Sequence, residues 1–112
     1  MSQPLRPFAN IPRHMLAGIR LIATDIDGTM TRDGKLGADV LTAILQLAEV
    51  GVAVLPVTGR PAGEALGLAR YLPCVYEAIA ENGAVLVRPD QDVIHLWNPP
   101  DRALLTRIAG EI

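Results

Sequence analysis

The strongest constraint on how this chain can fold is an alternation. Two short, nearly unbroken apolar runs, at 19–23 and 52–57, flank a segment whose apolar residues recur at 40, 41, 44, 45, 47 and 48. The runs have strand length and the segment between them has a helical period, so the chain reads as strand, helix, strand. Asp39 near the start and Gly51 just past the end supply both helix signals, which predicts a helix over 38–50. Pro61 suits the first turn of a second helix, which carries Ala65, Leu66, Ala69 and Leu72 inward and stops before Pro73. A third strand is predicted over 75–80. Strands alternating with helices require right-handed crossovers and a parallel sheet, so the expected fold class is α/β. Nearly continuous apolar strands imply a sheet covered on both faces. Pro56 cannot donate to a ladder and is placed at the C-terminal end of its strand, where pairing runs out. Asn82-Gly83 between apolar runs signals a hairpin, so 84–87 and 93–97 are predicted to extend the sheet in antiparallel fashion. Asn98-Pro99-Pro100-Asp101 then precedes a helix predicted over 102–112.

Chemistry concentrates at the end of the first apolar run, in Asp25-Ile26-Asp27-Gly28-Thr29. A strand places alternate side chains on one face, so Asp25 and Asp27 start out together until the chain bends at Gly28. Two carboxylates that close repel, and one pKa rises unless a cation sits between them. The pair therefore implies either a bound metal or one ionised carboxylate beside one that holds a proton. The second apolar run ends in Thr58-Gly59-Arg60. Ligands of open α/β sheets bind beyond the carboxyl ends of the strands, which puts both clusters in one expected cleft.

These motifs resemble those of the haloacid dehalogenase superfamily of phosphohydrolases. Asp25-Ile26-Asp27-Gly28-Thr29 is similar to its first motif, and Thr58 at the tip of the next strand is similar to its second. Glu81-Asn82-Gly83-Ala84 resembles a signature of the capped, sugar-phosphate-phosphatase (Cof-type) branch. The resemblance covers roughly residues 19–97. It implies a Rossmann-like core with flanking helices, here partial and extended by an antiparallel hairpin. It also implies Mg²⁺-dependent hydrolysis of a small phosphomonoester through an aspartyl-phosphate. On that reading Asp25 is the nucleophile and a metal ligand. Asp27 gives the metal its backbone carbonyl and acts as general acid and base. Thr58, Gly59, Arg60 and Asn82 face the phosphate or substrate, and the short polar stretch after Thr29, with the turn signal Asp33-Gly34, forms a flap.

The resemblance is incomplete. The superfamily's third motif supplies a Lys, but Lys35 is the only lysine here and precedes the second motif. The fourth supplies further Asp ligands in a Gly-Asp-x-x-x-Asp setting, and no acidic residue after Thr58 has one. The expectation is an N-terminal part of such an enzyme, truncated or translated as a short frame. The alternative from another class is a non-catalytic remnant or subunit whose partner supplies the missing motifs. A phosphoacceptor receiver is disfavoured, because no Asp ends the second or third strand.

Composition narrows the partners. Ten basic and twelve acidic residues give a net charge of −2, without a basic block, so nucleic acid is not expected. Neither a bilayer-length apolar stretch nor a signal-peptide core is present, so no membrane is expected and the cytoplasm is the default compartment. The expected partners are a small phosphorylated metabolite and, for a partial sheet, a complementing chain or a second copy. Cys74 reads as a buried or half-buried thiol, His14 and His95 as surface or edge residues, and Tyr76 and Trp97 as core or interface aromatics.

Three units are expected: a Pro-rich arm at 1–14, the core at 15–97, and the start of a helix at 98–112. The arm carries Pro4, Pro7 and Pro12 and has no apolar period. A chain starting at Met15 is therefore expected to melt within a few degrees of the full chain by circular dichroism, and a larger loss would show that the arm packs.

Overall fold

A computed structural model describes residues 4–90, 93–96 and 102–110. A 3-10 turn at Phe8–Asn10 and helix α1 (Arg13–Leu16) precede the sheet, with no buried residue in either. The boundary expected at residue 15 falls inside α1, so the arm is not uniformly extended. Strand β1 (Leu21–Thr24) leads through the Asp25–Thr29 turn to a small hairpin, β2 (Thr31–Arg32) and β3 (Lys35–Leu36). Asp33 and Gly34, at φ 51° and 75°, make the tight turn that the Asp-Gly signal predicts. Helix α2 (Ala38–Glu49) follows, with Gly37 at its N-cap, Asp39 in its first turn and Gly51 at φ 76° beyond its end.

Strand β4 (Ala53–Pro56) pairs in parallel with β1, from Leu21 opposite Ala53 to Thr24 opposite Pro56. Helix α3 (Ala62–Tyr71) then crosses back, with Pro61 at the N-cap rather than inside the first turn. Strands β5 (Ala78–Ala80), β6 (Val85–Val87) and β7 (Ile94–His95) form the antiparallel extension, and helix α4 runs Arg102–Gly110.

The third parallel strand is shorter than the sequence predicts, and Pro56 explains why. Ala53 and Val57 donate their N–H groups toward β1, to Arg20 and Thr24, at 2.9 and 2.8 Å. Val54 and Thr58 donate the other way, to Cys74 and Ile79, at 2.8 and 2.9 Å. Residue 56 falls on this second side, and proline has no N–H to give. The ladder breaks there, so residues 75–77 stay irregular and only a bridge of Val57 with Ile79 joins β4 to β5.

The turn between β5 and β6 also differs from the two-residue hairpin that Asn82-Gly83 predicts. Ala80 pairs with Val85, so four residues make the connection, three of them at positive φ: Glu81 at 52°, Asn82 at 56° and Gly83 at 94°. The predicted strand over 93–97 is observed at Ile94–His95, and Trp97 lies outside the described residues.

Two apolar clusters hold these elements. Ile26, Met30, Ile44, Val54, Ala69, Cys74 and Val75 fill the space between α2, α3 and the parallel strands. Ala65, Ala78, Ala80, Val85 and Val87 fill the second, where small side chains let α3 sit close on β5 and β6. Cys74 is buried as expected, with its thiol 3.5 Å from the Ile44 carbonyl oxygen, and burial pushes its pKa up. His14 and His95 are exposed.

Expected burial fails at β1, and Tyr76, read as a core or interface aromatic, is not in the core. Leu21 is 52% exposed and Ile22 38%, although their run reads as a strand covered on both faces. Among the described residues β1 pairs only with β4, so nothing covers its other edge. Tyr76 is 66% exposed and lines a shallow depression with Leu21 and Leu55. Leu41 and Leu45 of α2 also face solvent. The radius of gyration, 17.8 Å, exceeds the roughly 13 Å of a closed domain of this length.

Val87 is fully buried and Leu45 is 54% exposed. Val87→Ala is expected to cost about 2 kcal/mol in urea denaturation, from lost burial plus the cavity left behind. Leu45→Ala is expected to cost under about 0.5 kcal/mol, as surface changes do. Equal costs would contradict the core assignment.

Candidate active site

The parallel register decides where the motifs meet. Thr24 lies opposite Pro56, and the N–H of Val57 bonds the Thr24 carbonyl, so β1 and β4 end side by side. Asp25 begins one exit loop and Thr58 the other.

The first loop is wound around one carbonyl. The oxygen of Ile26 accepts the N–H groups of Thr29, Met30 and Thr31 at 3.2, 2.9 and 3.2 Å, while the Ile26 side chain is buried. Gly28, at φ 77°, makes the bend and donates its N–H to the Thr31 hydroxyl at 3.0 Å. This winding leaves the Asp25 and Asp27 side chains exposed. Among the described residues, the Asp25 carboxylate accepts only a long 3.5 Å contact from the Thr29 hydroxyl.

Asp27 is firmly held. Its two carboxylate oxygens accept hydrogen bonds from Arg60 Nε at 2.9 Å and Nη2 at 2.8 Å, a bidentate pair spanning the two loops. The Arg60 guanidinium lies 3.6 Å from Glu64, one turn further along α3. The hydrogen bonds from Arg60 and its charge hold the Asp27 carboxyl below its usual range, against a smaller opposing effect of desolvation. The same partnership raises the pKa of Arg60. The pair favours the ionised form of Asp27, whereas the acid–base role expected from the sequence uses the protonated one.

Thr58 is buried, and its hydroxyl oxygen accepts the Arg60 N–H at 3.0 Å, a local turn that leaves the hydroxyl hydrogen to donate elsewhere. Asp27, Thr58 and Arg60 together line a cavity of about 360 Å³, closed on other sides by Thr31 and Gly34 of the β2–β3 hairpin and by Glu64. The flap segment therefore borders the cavity. Asp25, Gly59 and Asn82 are not part of this lining. Gly59 has ordinary φ; its requirement is space, because a Cβ there would come within 2.8 Å of Asn82 Oδ1. Asn82 therefore packs on the second loop rather than into the cavity.

Two further acidic residues contact the second loop: Glu64, which the sequence does not single out, and Glu81, which it offers only within the Glu81-Asn82-Gly83-Ala84 signature. Glu64 pairs with Arg60 at helical i,i+4 spacing, a readable signal. Glu81 accepts the Ala62 N–H at 3.2 Å and so occupies the start of α3, a contact across 19 residues with no local signature. Among the described residues no group of three or more His, Cys, Asp or Glu side chains is placed to hold a metal. The oxygens that suit a hard cation are the Asp25 carboxylate and the Asp27 carbonyl, a partial set for an ion that prefers six oxygens.

The fold and these paired loops define an α/β core whose parallel strands end in an acidic and a basic loop. The chain belongs to the haloacid dehalogenase-like hydrolase family, whose model matches residues 22–109. Phosphoglycolate phosphatase of Aeropyrum pernix is 38% identical over 98 residues, which are 83% of this chain and 41% of that protein. The Nitrosopumilus maritimus phosphoglycolate phosphatase is 33% identical over 81 residues, 70% of this chain and 35% of the other. A haloacid dehalogenase-like hydrolase from Bacillus subtilis superposes with a TM-score of 0.65 at 26% identity, over 83% of this chain and 33% of that one. A Bacteroides thetaiotaomicron protein studied among the phosphatases of the same superfamily gives 0.64 at 27% identity, over 98% and 38%. The chain thus spans well under half the length of the relatives it matches. No helix among the described residues is long and apolar enough to cross a membrane.

Asp27 gains its lowered pKa from Arg60, so any stability it contributes is present above the unfolded-state pKa and is lost as pH falls through the folded value. Arg60→Ala is expected to move the Asp27 carboxyl titration upward, toward the ordinary range, in carbon-detected NMR. An unmoved titration would show that the ion pair does not form in solution.

Proposed function

We propose that this chain carries the nucleophile and acid–base half of a phosphomonoesterase site acting on a small phosphorylated metabolite, such as a sugar phosphate or a two-carbon acid phosphate. The observation that carries this reading is the Asp27–Arg60 pair across the two strand ends, with Thr58 beside it and Asp25 two residues away. The names of the phosphoglycolate phosphatases support the two-carbon option.

The chemistry follows from the residues. An Asp25 carboxylate oxygen attacks phosphorus, the P–O ester bond breaks, and the leaving alkoxide takes a proton from Asp27. Water then attacks the aspartyl-phosphate, giving its proton to Asp27 and releasing phosphate, a general acid–base role that contributes about 10²–10⁴-fold. The Arg60 pair disfavours protonated Asp27; turning the guanidinium to a phosphate oxygen removes that bias, and the proton Asp27 gives to the alkoxide is taken up from water beforehand. The Thr58 hydroxyl hydrogen is free to donate to the same group. Mg²⁺, held by the Asp25 carboxylate and the Asp27 carbonyl, would screen the negative charge where carboxylate and phosphate meet.

A second reading has its own support. The exposed edge and apolar faces of β1 favour a subunit that works only when another chain covers them, either a complementing segment with the Lys and Asp motifs or a second copy. The cytoplasm stays the compartment proposed for either form.

The test is the response of backbone amides to beryllofluoride with Mg²⁺, a mimic of aspartyl-phosphate. Asp25→Asn is expected to abolish the response, whereas Asp27→Asn retains part of it, and an unchanged response in the Asp25 variant would refute the assignment. Assayed alone with an aryl phosphate and Mg²⁺, the chain is expected to show little turnover and to self-associate in light scattering. Robust Asp25-dependent turnover by a monomer would exclude the second reading.

A further inference from the structure

The turn at 81–83 is costly and oddly placed. Two successive non-glycine residues, Glu81 and Asn82, hold left-handed φ of 52° and 56°, each disfavoured by roughly 1–2 kcal/mol. Such strain persists only where surrounding contacts over-determine it. Those contacts run to one place. The Glu81 N–H donates to the Arg60 carbonyl at 3.0 Å, and the Asn82 N–H to the Thr58 carbonyl at 3.1 Å. The Glu81 carboxylate accepts the Ala62 N–H at 3.2 Å, and the Asn82 side chain lies directly over Gly59. Residues 58, 59, 60 and 62 are thus all clasped by two residues of one turn.

The strained φ is what makes the clasp two-handed. Left-handed backbone at both residues turns successive N–H groups toward the same loop, where an extended strand would send them to opposite sides. The carboxylate then adds a charge-assisted bond at the first turn of α3, where a helix has N–H groups without internal partners. Between these fixed points sits the Arg60 backbone, from which the guanidinium reaches Asp27.

We propose that Glu81 is a positioning residue: by clasping the Arg60 carbonyl and the Ala62 N–H, it fixes the loop that aims Arg60 at Asp27. It touches neither the cavity nor any reacting atom. Its value for catalysis rests on the function proposed above, but the clasp itself does not.

The test uses the full chain and three variants, Glu81→Ala, Glu81→Gln and Glu81→Met. In NMR, the Arg60 Nε–H should give a shifted, slowly exchanging signal in the parent. Glu81→Ala is expected to speed exchange of the Ala62 amide and of Arg60 Nε–H by about tenfold or more, as loss of a charge-assisted bond does. Glu81→Gln keeps an acceptor at the same reach and is expected to restore most of the protection, whereas Glu81→Met, which keeps the bulk but no oxygen acceptor, is expected to behave like Glu81→Ala; protection retained by the Met variant would overturn the proposal. Unchanged Arg60 exchange in a folded Glu81→Ala chain would overturn the proposal. Should that variant not fold, the parent decides: the amides of Ala62, Glu81 and Asn82 are expected to open as one unit, and an unprotected Ala62 amide would overturn it equally. Inorganic phosphate titrated into the parent separates the two proposals, since absent amide shifts at Thr58 and Arg60 would count against the phosphatase reading while leaving the clasp standing.

Discussion

Everything at this site depends on the parallel pairing of β1 with β4 in one particular register. Parallel strands joined by a crossover helix end at the same edge of a sheet, and here they end level, Thr24 against Pro56. A slip of one residue would turn the side chains of β1 to the opposite face and carry the aspartates away from Thr58 and Arg60. The apolar residues of β4 and α2 resist that slip, because Val54 and Ile44 share one buried cluster with Ile26 of the aspartate loop. Packing thus fixes register, and register brings the acidic and basic loops together.

Charge then completes what packing begins. Asp27 and Arg60 are each about half exposed, so their pair adds little to stability in water. Its consequence is chemical: it lowers the Asp27 pKa and parks the guanidinium beside the cavity. On the proposed function, a phosphate entering there would compete with Asp27 for the same fork of donors. The strained turn at Glu81 and Asn82 fits this division, since backbone strain costs stability and returns a fixed loop.

Much of the fold is legible in the sequence because period and punctuation act locally. Apolar spacing with Asp39 and Gly51 marks α2, and Asp33-Gly34 marks its hairpin. Pro56 is half legible: its place at the end of β4 follows from its missing N–H, but that the gap falls on the β5 side needs the ladder's parity. The burial of β1 is misread because an apolar strand states a need for cover without saying what supplies it. The turn at 81–84 is misread because Asn-Gly is compatible with both a two-residue turn and this longer one. The two aspartates and Thr58-Gly59-Arg60 are readable as chemistry, but the pairing of Asp27 with Arg60 spans 33 residues and the Glu81 cap spans 19, distances at which spacing carries no information.

Two loops, brought level by one strand pairing, form a single site. Paramagnetic relaxation by Mn²⁺, a stand-in for Mg²⁺ with the same preference for oxygen ligands, tests it most directly. Trace Mn²⁺ added to the labelled chain is expected to broaden the amides of residues 25–29 and 58–60 together, while those of 85–87 stay sharp. Broadening confined to one loop, or spread over the acidic surface without preference, would contradict the account.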